Sequence, residues 1–205
     1  YYARNQFMAC MCPPGTKNNL NRGIYKSCNT YFSNVYRRII DNDNKVEENI
    51  NTWYKHLNSF GLGNYLGYDH PVGQPGYVPN ANFYNLWYPN QRWRGSTIVS
   101  NAIGQGEILM TPIQLANVAA TIANRGFFYT PHFVKEIQGD FIDPKYKTKR
   151  ATSISKEHFT NVIEGMADVV SKGTARVAAI RGIEVCGKTG TIENFTKIDG
   201  VRTQL

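Results

Sequence analysis

The stretch "GIEVCGKTGT", Gly182 to Thr191, decides how this chain is interpreted, because it fits two unrelated patterns. Residues 182–189 match G-x-x-x-x-G-K-[ST], the phosphate-binding loop of nucleotide hydrolases. The same stretch contains Lys188-Thr189-Gly190, the K-T-G element of a group of enzymes that form acyl intermediates on a serine. The first pattern predicts a nucleotide site, and the second predicts a site for a peptide acyl group.

The residues within and after this stretch favour K-T-G over the phosphate loop. A phosphate loop is a flexible, glycine-rich turn that leads directly into a helix. Residues 183–186 are Ile-Glu-Val-Cys, and the alternation of apolar residues with Glu184 predicts a strand. The glycine and β-branched residues after Thr189 disfavour a helix. We therefore interpret the match to the nucleotide pattern as accidental.

On a strand, the K-T-G-T residues are suited to binding a carboxylate. The Lys188 ammonium and the hydroxyls of Thr189 and Thr191 can bind it through charge-assisted hydrogen bonds. Gly190 has no side chain, so a substrate backbone can approach closely, and the Thr191 N–H can point at a developing oxyanion. A threonine- and glycine-rich edge strand without a function is the alternative for this element taken alone.

A second element, Ser27-Cys28-Asn29, has the form S-x-N and precedes a predicted helix. Ser27 can relay a proton, and Asn29 can hydrogen-bond a substrate amide. Helix capping by serine or asparagine is the structural alternative. The element gains weight because it precedes K-T-G by a long interval, which is the order that the catalytic interpretation requires.

Hydrophobic periodicity and capping residues predict four helices and, in addition to the strand at 183–186, one further strand. One helix begins at Thr30, with an apolar face of Tyr31, Phe32, Val35, Tyr36, Ile39 and Ile40. The second helix spans Val46 to Phe60. The third begins at Pro112 with a Thr111–Gln114 capping box, and its predicted buried residues are Ile113, Val118 and Ile122. The fourth begins after Ser155, which is its predicted cap. Residues 127–137 predict a strand interrupted at Pro131, and residues 64–100 show no period.

The composition indicates a globular chain with a basic surface. Hydrophobic residues make up 41%, charged residues 19%, and the formal net charge is +8. This balance suits an anionic partner such as a membrane surface or an acidic cell-wall polymer, and a solvated basic surface without such a partner is the alternative. The basic residues are scattered, so nucleic acid is not a predicted partner. No signal peptide or membrane span is visible, and both ends of the chain look cut.

The four cysteines, Cys10, Cys12, Cys28 and Cys186, are too few for a disulfide framework in a chain of 205 residues. We expect buried free thiols rather than metal ligands, and neither a metal nor another cofactor is predicted. Zinc bound by Cys10, Cys12 or a nearby histidine is the weaker alternative.

With both elements in this order, the chain resembles the transpeptidase domain of class B penicillin-binding proteins, and among them the elongation type, penicillin-binding protein 2. The resemblance implies an α/β (α+β) fold of the penicillin-binding protein and serine β-lactamase type, with an antiparallel sheet flanked by helices, incomplete in this chain. The form "SCN" suggests a Bacteroidetes-like source. The segments that carry the resemblance are Ser27–Asn29, "FGLG" at 60–63, "IGQGEILMTPIQLANVAATIANRG" at 103–126, "GMADVV" at 165–170, "KGTA" at 172–175 and "CGKTGT" at 186–191.

The resemblance implies a peptidoglycan D,D-transpeptidase that acts during cell-wall elongation. In this family the serine of an S-x-x-K motif attacks the D-Ala-D-Ala bond of a stem peptide, and β-lactams trap the acyl-enzyme. Lys188 is then expected to polarise Ser27, and Thr189 and Thr191 to bind the substrate carboxylate. The implied partners are the stem peptide, β-lactams and the rod-shape glycosyltransferase, at the periplasmic face of the inner membrane, with an N-terminal anchor outside this chain.

The S-x-x-K nucleophile of the family is the missing element. The sequence "SISK", Ser153 to Lys156, has the right form, but it follows S-x-N instead of preceding it, and it serves as a helix start. We therefore expect the nucleophile upstream of Tyr1 and a fragment that cannot be acylated by itself. A penicillin-recognising sensor or a β-lactamase on the same fold is the alternative function.

Overall fold

The computed structural model describes residues 12, 15–70, 72–136, 138, 142–190, 195–198 and 201–204, which form α-helices and two antiparallel strand pairs. The helices are α1 Leu20–Tyr25, α2 Asn29–Ile40, α3 Val46–Ser59, α4 Ala81–Trp87, α5 Pro112–Ala123 and α6 Glu157–Ser171. The strands are β1 Phe127–Tyr129, β2 Lys149–Ala151, β3 Phe195–Ile198 and β4 Val201–Gln204. Among the described residues, no helix is long and apolar enough to cross a membrane.

The predicted starts of α2, α3 and α5 lie within one residue of the observed ones, but some details of the predicted helices are wrong. In α2, Tyr36 and Ile40 are buried as predicted, whereas Val35 is 36% and Ile39 is 53% exposed. Helix α6 begins at Glu157, and its N-cap residue is Lys156, which makes no side-chain capping bond, instead of the predicted Ser155. Helices α1 and α4 have six and seven residues, too short for a periodic signal.

A hydrophobic core lies between α2, α3 and α4 and extends into the segment that shows no period in the sequence. Asn80 starts α4 there by accepting the N–H of Phe83 at 3.1 Å. Because α2 is fixed in this core, the S-x-N element at its N-terminus has a rigid support. The buried members of the core are Tyr36, Ile40, Ile50, Ala81, Tyr84, Trp93 and Ile98.

Helix α5 begins with the predicted capping box, but its buried face is polar. The Thr111 hydroxyl accepts the Gln114 N–H at 3.4 Å, and the Gln114 side-chain oxygen accepts the Thr111 N–H at 2.9 Å. The residues predicted as buried, Ile113, Val118 and Ile122, are only half-buried, while Gln114, Asn117 and Thr121 are fully buried.

The polar face of α5 satisfies carbonyl groups of the loop that follows α3. The Asn117 side chain donates to the Phe60 carbonyl at 3.0 Å. The Gln114 Nε2 lies within hydrogen-bond distance of the carbonyl oxygens of Gly61 (3.2 Å), Asn64 (3.0 Å) and Pro75 (2.8 Å). Buried carbonyls require donors, so amides occupy the positions where periodicity alone predicts apolar side chains.

Replacement of Gln114 by leucine is expected to lower the free energy of unfolding by about 3 kcal/mol. The substitution leaves buried carbonyls without a donor and removes half of the capping box. The change is measurable by urea denaturation. Gln91, which is exposed, supplies the control, and its replacement by leucine should change stability by less than about 0.5 kcal/mol. Equal effects at both positions would contradict a structural role for Gln114.

The strands confirm the mixed α and β class, although the pairing differs from the predicted single sheet. β1 pairs antiparallel with β2, with Phe128 opposite Arg150, and β3 pairs antiparallel with β4. The predicted strand at 127–137 ends at Tyr129. Beyond it, the Asp69 carboxylate accepts the N–H groups of Phe133 (2.9 Å) and Val134 (2.8 Å), so these groups bind a side chain in place of a strand.

Candidate active site

Ser27 lies in the turn that ends α1 and leads into α2. Its φ of 50° is in the left-handed region, which is unfavourable for any residue with a Cβ atom. The Ser27 N–H donates to Ile24 O at 3.0 Å, and the Cys28 N–H donates to Gly23 O at 2.9 Å. These are the two bonds of a Schellman helix end, in which glycine usually takes the left-handed position. A serine there keeps a hydroxyl where the backbone alone favours glycine.

The other two residues of S-x-N flank this turn on the side of α2. Cys28 is the N-cap residue of α2 without a side-chain capping bond, and Asn29 begins the helix and is half-buried. The Cys28 side chain is fully buried, and its sulfur lies 3.4 Å from the Asn18 amide nitrogen and 3.3 Å from the Thr30 hydroxyl. The buried Cys28 therefore separates two residues that both reach the surface.

The remaining thiols differ from the expectation of burial. Cys186 is exposed and Cys12 is half-buried, so that expectation is wrong for these two, while Cys28 agrees with it. Cys10 lies outside the described residues.

The segment that carries K-T-G has no regular secondary structure in residues 184–190, so the predicted strand at 183–186 is wrong. An isolated bridge joins Ile180 and Ile183, and the Gly187 N–H donates to the Met166 carbonyl of α6 at 3.2 Å. Alternating residues favour an extended chain, but a strand also needs a neighbouring strand with which to pair. Here the neighbour of the segment is helix α6. Residues 188–190, at the end of the described part of this segment, are not helical, whereas a phosphate loop leads directly into a helix.

Lys188 reaches across to Ser27. The Lys188 Nζ lies 2.8 Å from the Ser27 Oγ, although the residues are 161 positions apart in the chain. The same ammonium donates to the Thr189 carbonyl at 3.0 Å and to the Thr189 hydroxyl at 3.3 Å. Partial desolvation by neighbouring atoms lowers the pKa of Lys188 from its usual value, although the residue as a whole is exposed. The predicted pair of elements is thus joined by a direct contact between side chains.

The other K-T-G positions lie on the open side of this contact. The Thr189 hydroxyl is 3.1 Å from the Thr174 hydroxyl, and both residues are exposed. Among the described residues, no atom lies within 4 Å of a Cβ built on Gly190, and the φ of Gly190 is not positive. The protein's own packing therefore does not require glycine at this position. Thr191 lies outside the described residues.

Close packing of α6 against α1 brings these segments together. A Cβ on Gly165 would lie 2.8 Å from the Ile24 side chain, and a Cβ on Gly173 would collide with the Tyr25 carbonyl. Glycine at both positions lets the end of α6 approach the turn that holds Ser27. Thr174 follows directly and is a site residue that reasoning from the motifs alone misses. Its only signal in the sequence is its place in "KGTA".

Ser153 of "SISK" belongs to a different cluster. Its Oγ is 2.7 Å from the His56 Nδ1 and 3.0 Å from the Ser59 hydroxyl, and its N–H donates to Ser59 at 3.1 Å. These bonds tie the end of α3 to the segment before α6. Neither Ser27 nor Lys188 takes part in them.

A wide groove of about 1070 Å³ lies away from the candidate site, between Asp41 and the 88–94 loop. Asp41 follows the last residue of α2, and Ser27 precedes the first, so the twelve-residue helix separates them by roughly 18 Å. The groove has lining residues of both charges. Volume alone therefore does not locate the candidate site, which is defined by the contact between Lys188 and Ser27.

The chain is similar in sequence to a known class of proteins. Residues 11–204 match the family described as the penicillin binding protein transpeptidase domain. The chain belongs to this family.

Relatives within the family include a D,D-transpeptidase and a solved PBP2 complex. The peptidoglycan D,D-transpeptidase MrdA of Acinetobacter baumannii is 30% identical over 191 residues, which cover 90% of this chain and 26% of that protein. The complex between PBP2 and MreC from Helicobacter pylori contains a chain with 30% identity and a TM-score of 0.62, and the match covers 89% of this chain and 31% of that one.

A second similar structure is that of "Structural coordination of polymerization and crosslinking by a peptidoglycan synthase complex". It has 27% identity and a TM-score of 0.64, and the match covers 86% of this chain and 28% of that one. The chain thus spans about a quarter to a third of the proteins that it matches. The predicted fold class and the resemblance to penicillin-binding protein 2 are confirmed, while the Bacteroidetes-like source stays a prediction.

Proposed function

We propose that this chain supplies the substrate-binding part of a peptidoglycan D,D-transpeptidase that works through a serine acyl-enzyme. The observation that carries the proposal is the 2.8 Å contact between the Lys188 Nζ and the Ser27 Oγ, which unites S-x-N and K-T-G in one site. Family membership and similarity to MrdA support the reaction class. No nucleotide chemistry is needed to account for the lysine.

The site is suited to a ligand that carries a carboxylate beside a scissile acyl bond. The Lys188 ammonium attracts the carboxylate, and the Thr189 hydroxyl donates a hydrogen bond to it. Ser27, in contact with Lys188, relays a proton at the reacting centre, and Asn29 binds an amide of the substrate. A peptide ending in D-Ala-D-Ala presents such a carboxylate, and so does a β-lactam. Thr191 is proposed as a second carboxylate ligand from the sequence pattern alone.

Gly190 gives this proposal a test that separates ligand binding from folding. Since a Cβ at Gly190 meets no atom in the part of the chain that the structure describes, Gly190→Ala should leave the melting temperature unchanged. We expect it to slow acylation by a fluorescent penicillin about tenfold, because the methyl group occupies the space into which the ligand backbone would come. Stopped-flow fluorescence on the complete protein measures this rate.

Gly187→Ala is the matched control for Gly190. A Cβ there lies 4.0 Å from Val170, an ordinary van der Waals contact, and the residue lies on the other side of Lys188 in sequence. Its acylation rate should stay within about twofold of the unmodified protein. Equal rates for both alanine variants would argue against a ligand that approaches Gly190.

We further propose that the acylated serine is neither Ser27 nor Ser153. Ser27 belongs to S-x-N, not to the S-x-x-K form of the nucleophile, and "SISK" follows S-x-N instead of preceding it. Ser153 also contacts His56 and Ser59 and does not contact Lys188. Labelling the complete protein with penicillin, followed by digestion and mass spectrometry, identifies the acylated residue. The proposal predicts an adduct on a serine outside residues 1–205. An adduct on Ser153 would restore "SISK" as the nucleophile.

The partners and location follow from similarity and are proposals as well. Similarity to PBP2 bound to MreC, and to a peptidoglycan synthase complex, supports work within an elongation assembly that includes a rod-shape glycosyltransferase. The periplasmic face of the inner membrane is the place where such an assembly meets its peptidoglycan substrate. The net charge of +8 suits an anionic cell-wall polymer.

A further inference from the structure

Thr174 ends a continuous chain of hydrogen-bonding side chains that begins at Ser27. The Ser27 Oγ is 2.8 Å from the Lys188 Nζ, and the Lys188 Nζ is 3.3 Å from the Thr189 Oγ1. The Thr189 Oγ1 is in turn 3.1 Å from the Thr174 Oγ1. Thr174 thus contacts the same Thr189 hydroxyl as Lys188, and Thr189 is the residue proposed to bind the carboxylate.

Close backbone packing also holds Thr174 near Ser27, at the two ends of this series of hydrogen bonds. Gly173, next to Thr174, approaches the Tyr25 carbonyl so closely that a Cβ would collide with it, and Tyr25 lies two residues before Ser27. The Ala175 N–H donates to the Val169 carbonyl of α6 at 3.0 Å. Both neighbours of Thr174 are therefore fixed by backbone contacts, and Thr174 is held at a set position relative to Ser27.

Lys172 adds a second link between the same two elements. Its ammonium lies 2.9 Å from the Asp168 carboxylate and 5.2 Å from the centre of the Tyr25 ring. The hydrogen bond to Lys172 is the largest cause that lowers the pKa of Asp168 below its usual value. The turn that carries Thr174 is thus anchored on α1 by both its backbone and a side chain.

The number of protons in this cluster permits two directions for the bond between the two hydroxyls, since either atom can be the donor. A hydroxyl has one proton to donate and two lone pairs, whereas an ammonium can only donate. The Thr189 hydroxyl accepts from Lys188 and has one further lone pair. When Thr174 donates to that lone pair, Thr189 keeps its own proton for a ligand, and each bond polarises the next.

We propose that Thr174 is a positioning residue whose hydroxyl donates to Thr189 and so directs the Thr189 proton towards the ligand carboxylate. The proposal rests on the proposed function, since it takes Thr189 as a carboxylate ligand. Thr174 itself does not touch the ligand in this arrangement. A stem peptide and a β-lactam share the carboxylate, so both depend on Thr174 in the same way.

Replacement of Thr174 by valine, which keeps the shape and removes the hydroxyl, tests the proposal in the complete protein. The second-order rate of acylation by a fluorescent penicillin should fall about tenfold, and Thr174→Ser should stay within about twofold. The control is Thr52→Val on α3, where the hydroxyl donates only to the Glu48 carbonyl at 3.0 Å, and it should leave the rate unchanged. Equal rates for Thr174→Val and the unmodified protein would overturn the proposal.

A double-mutant cycle separates positioning from a general loss of structure. If Thr174 acts through Thr189, the variant with valine at both positions should be no slower than Thr189→Val alone. Independent, multiplying losses at the two positions would overturn the proposal. Melting temperatures of all variants, measured in parallel, exclude unfolding as the cause of a slow rate.

A spectroscopic measurement distinguishes failure of this proposal from failure of the proposed function. With ¹³C-labelled lysine, the Cε resonance of Lys188 is assigned by its loss in Lys188→Arg. Thr174→Val should change its chemical shift and its titration, and Thr52→Val should change neither. An unchanged Lys188 resonance in Thr174→Val would overturn the positioning role. A protein that takes up no penicillin, with the Lys188 resonance changed as expected, would overturn the proposed function and leave the Thr174–Thr189–Lys188 connection established.

Discussion

Replacing Lys188 with alanine is expected to lower the rate of acylation by penicillin by about 10²–10⁴-fold. The substitution removes the group that contacts Ser27 at 2.8 Å and also the charge that attracts a carboxylate. Stopped-flow labelling of the complete protein measures the rate, and calorimetry checks that the domain still unfolds as a unit. Because the residue is exposed, its loss should change stability little.

Lys156 is the matched control, since it is the lysine of "SISK" and is also exposed. Lys156→Ala should be acylated at the unmodified rate. A large loss in this variant, with little loss in Lys188→Ala, would move the catalytic role to Ser153 and its neighbours. Such a result would reverse the assignment of the two motifs.

The dependence of the acylation rate on pH tests whether the charged form of Lys188 is required. If the ammonium form is required, the rate falls as pH rises through the pKa of Lys188. Desolvation lowers this pKa, so the fall should begin at lower pH than for a free lysine, whose pKa is about 10.4. Lys188→Arg keeps the charge at high pH and should move the fall upward, although with a lower maximal rate. An unchanged profile in Lys188→Arg would show that another group titrates.

Replacing Ser27 with glycine is expected to stabilise the fold and inactivate the site at the same time. The φ of 50° at Ser27 costs a residue with a Cβ atom about 1 kcal/mol relative to glycine. Ser27→Gly relieves this cost and removes the hydroxyl in contact with Lys188. We expect the free energy of unfolding to rise by about 1 kcal/mol and acylation to slow about 10²-fold. Chemical denaturation and penicillin labelling measure the two effects.

Ser27→Ala separates these two effects, because alanine lacks the hydroxyl but keeps the Cβ atom. It should be acylated as slowly as Ser27→Gly without any gain in stability. The difference in stability between the two variants should therefore be about 1 kcal/mol. If Ser27→Gly were fully active, the hydroxyl would have no role, and the left-handed serine would need another explanation.

Features that depend on neighbouring residues in the sequence are predicted better than those that depend on distant partners. Ser27, Asn29 and the K-T-G residues belong to short motifs that can be found in the sequence without knowledge of the fold. The Thr111–Gln114 capping box is equally local, and the structure confirms it. Helices α2 and α3 have enough length for a periodic signal, and their predicted starts are within one residue of the observed ones.

The misses arise where distant partners decide the local structure. Residues 183–186 have a strand-like pattern, but their neighbour is α6, and the Gly187 N–H binds a helix carbonyl. The inward face of α5 is polar because loop carbonyls lie opposite Gln114. Thr174 joins the site only because Gly173 lets two elements approach closely. Periodicity contains no information about any of these partners.

The structure of the complete protein with a penicillin bound covalently tests the central claim most directly. We predict that the carboxylate of the bound ligand lies about 2.8 Å from the Thr189 hydroxyl, with the ligand backbone against Gly190. The acyl bond should be formed by a serine outside residues 1–205, and the Lys188–Ser27 contact should lie beside this bond. A ligand attached to Ser153, or a carboxylate far from Thr189, would contradict the claim that Lys188 and Ser27 form half of a penicillin-binding site.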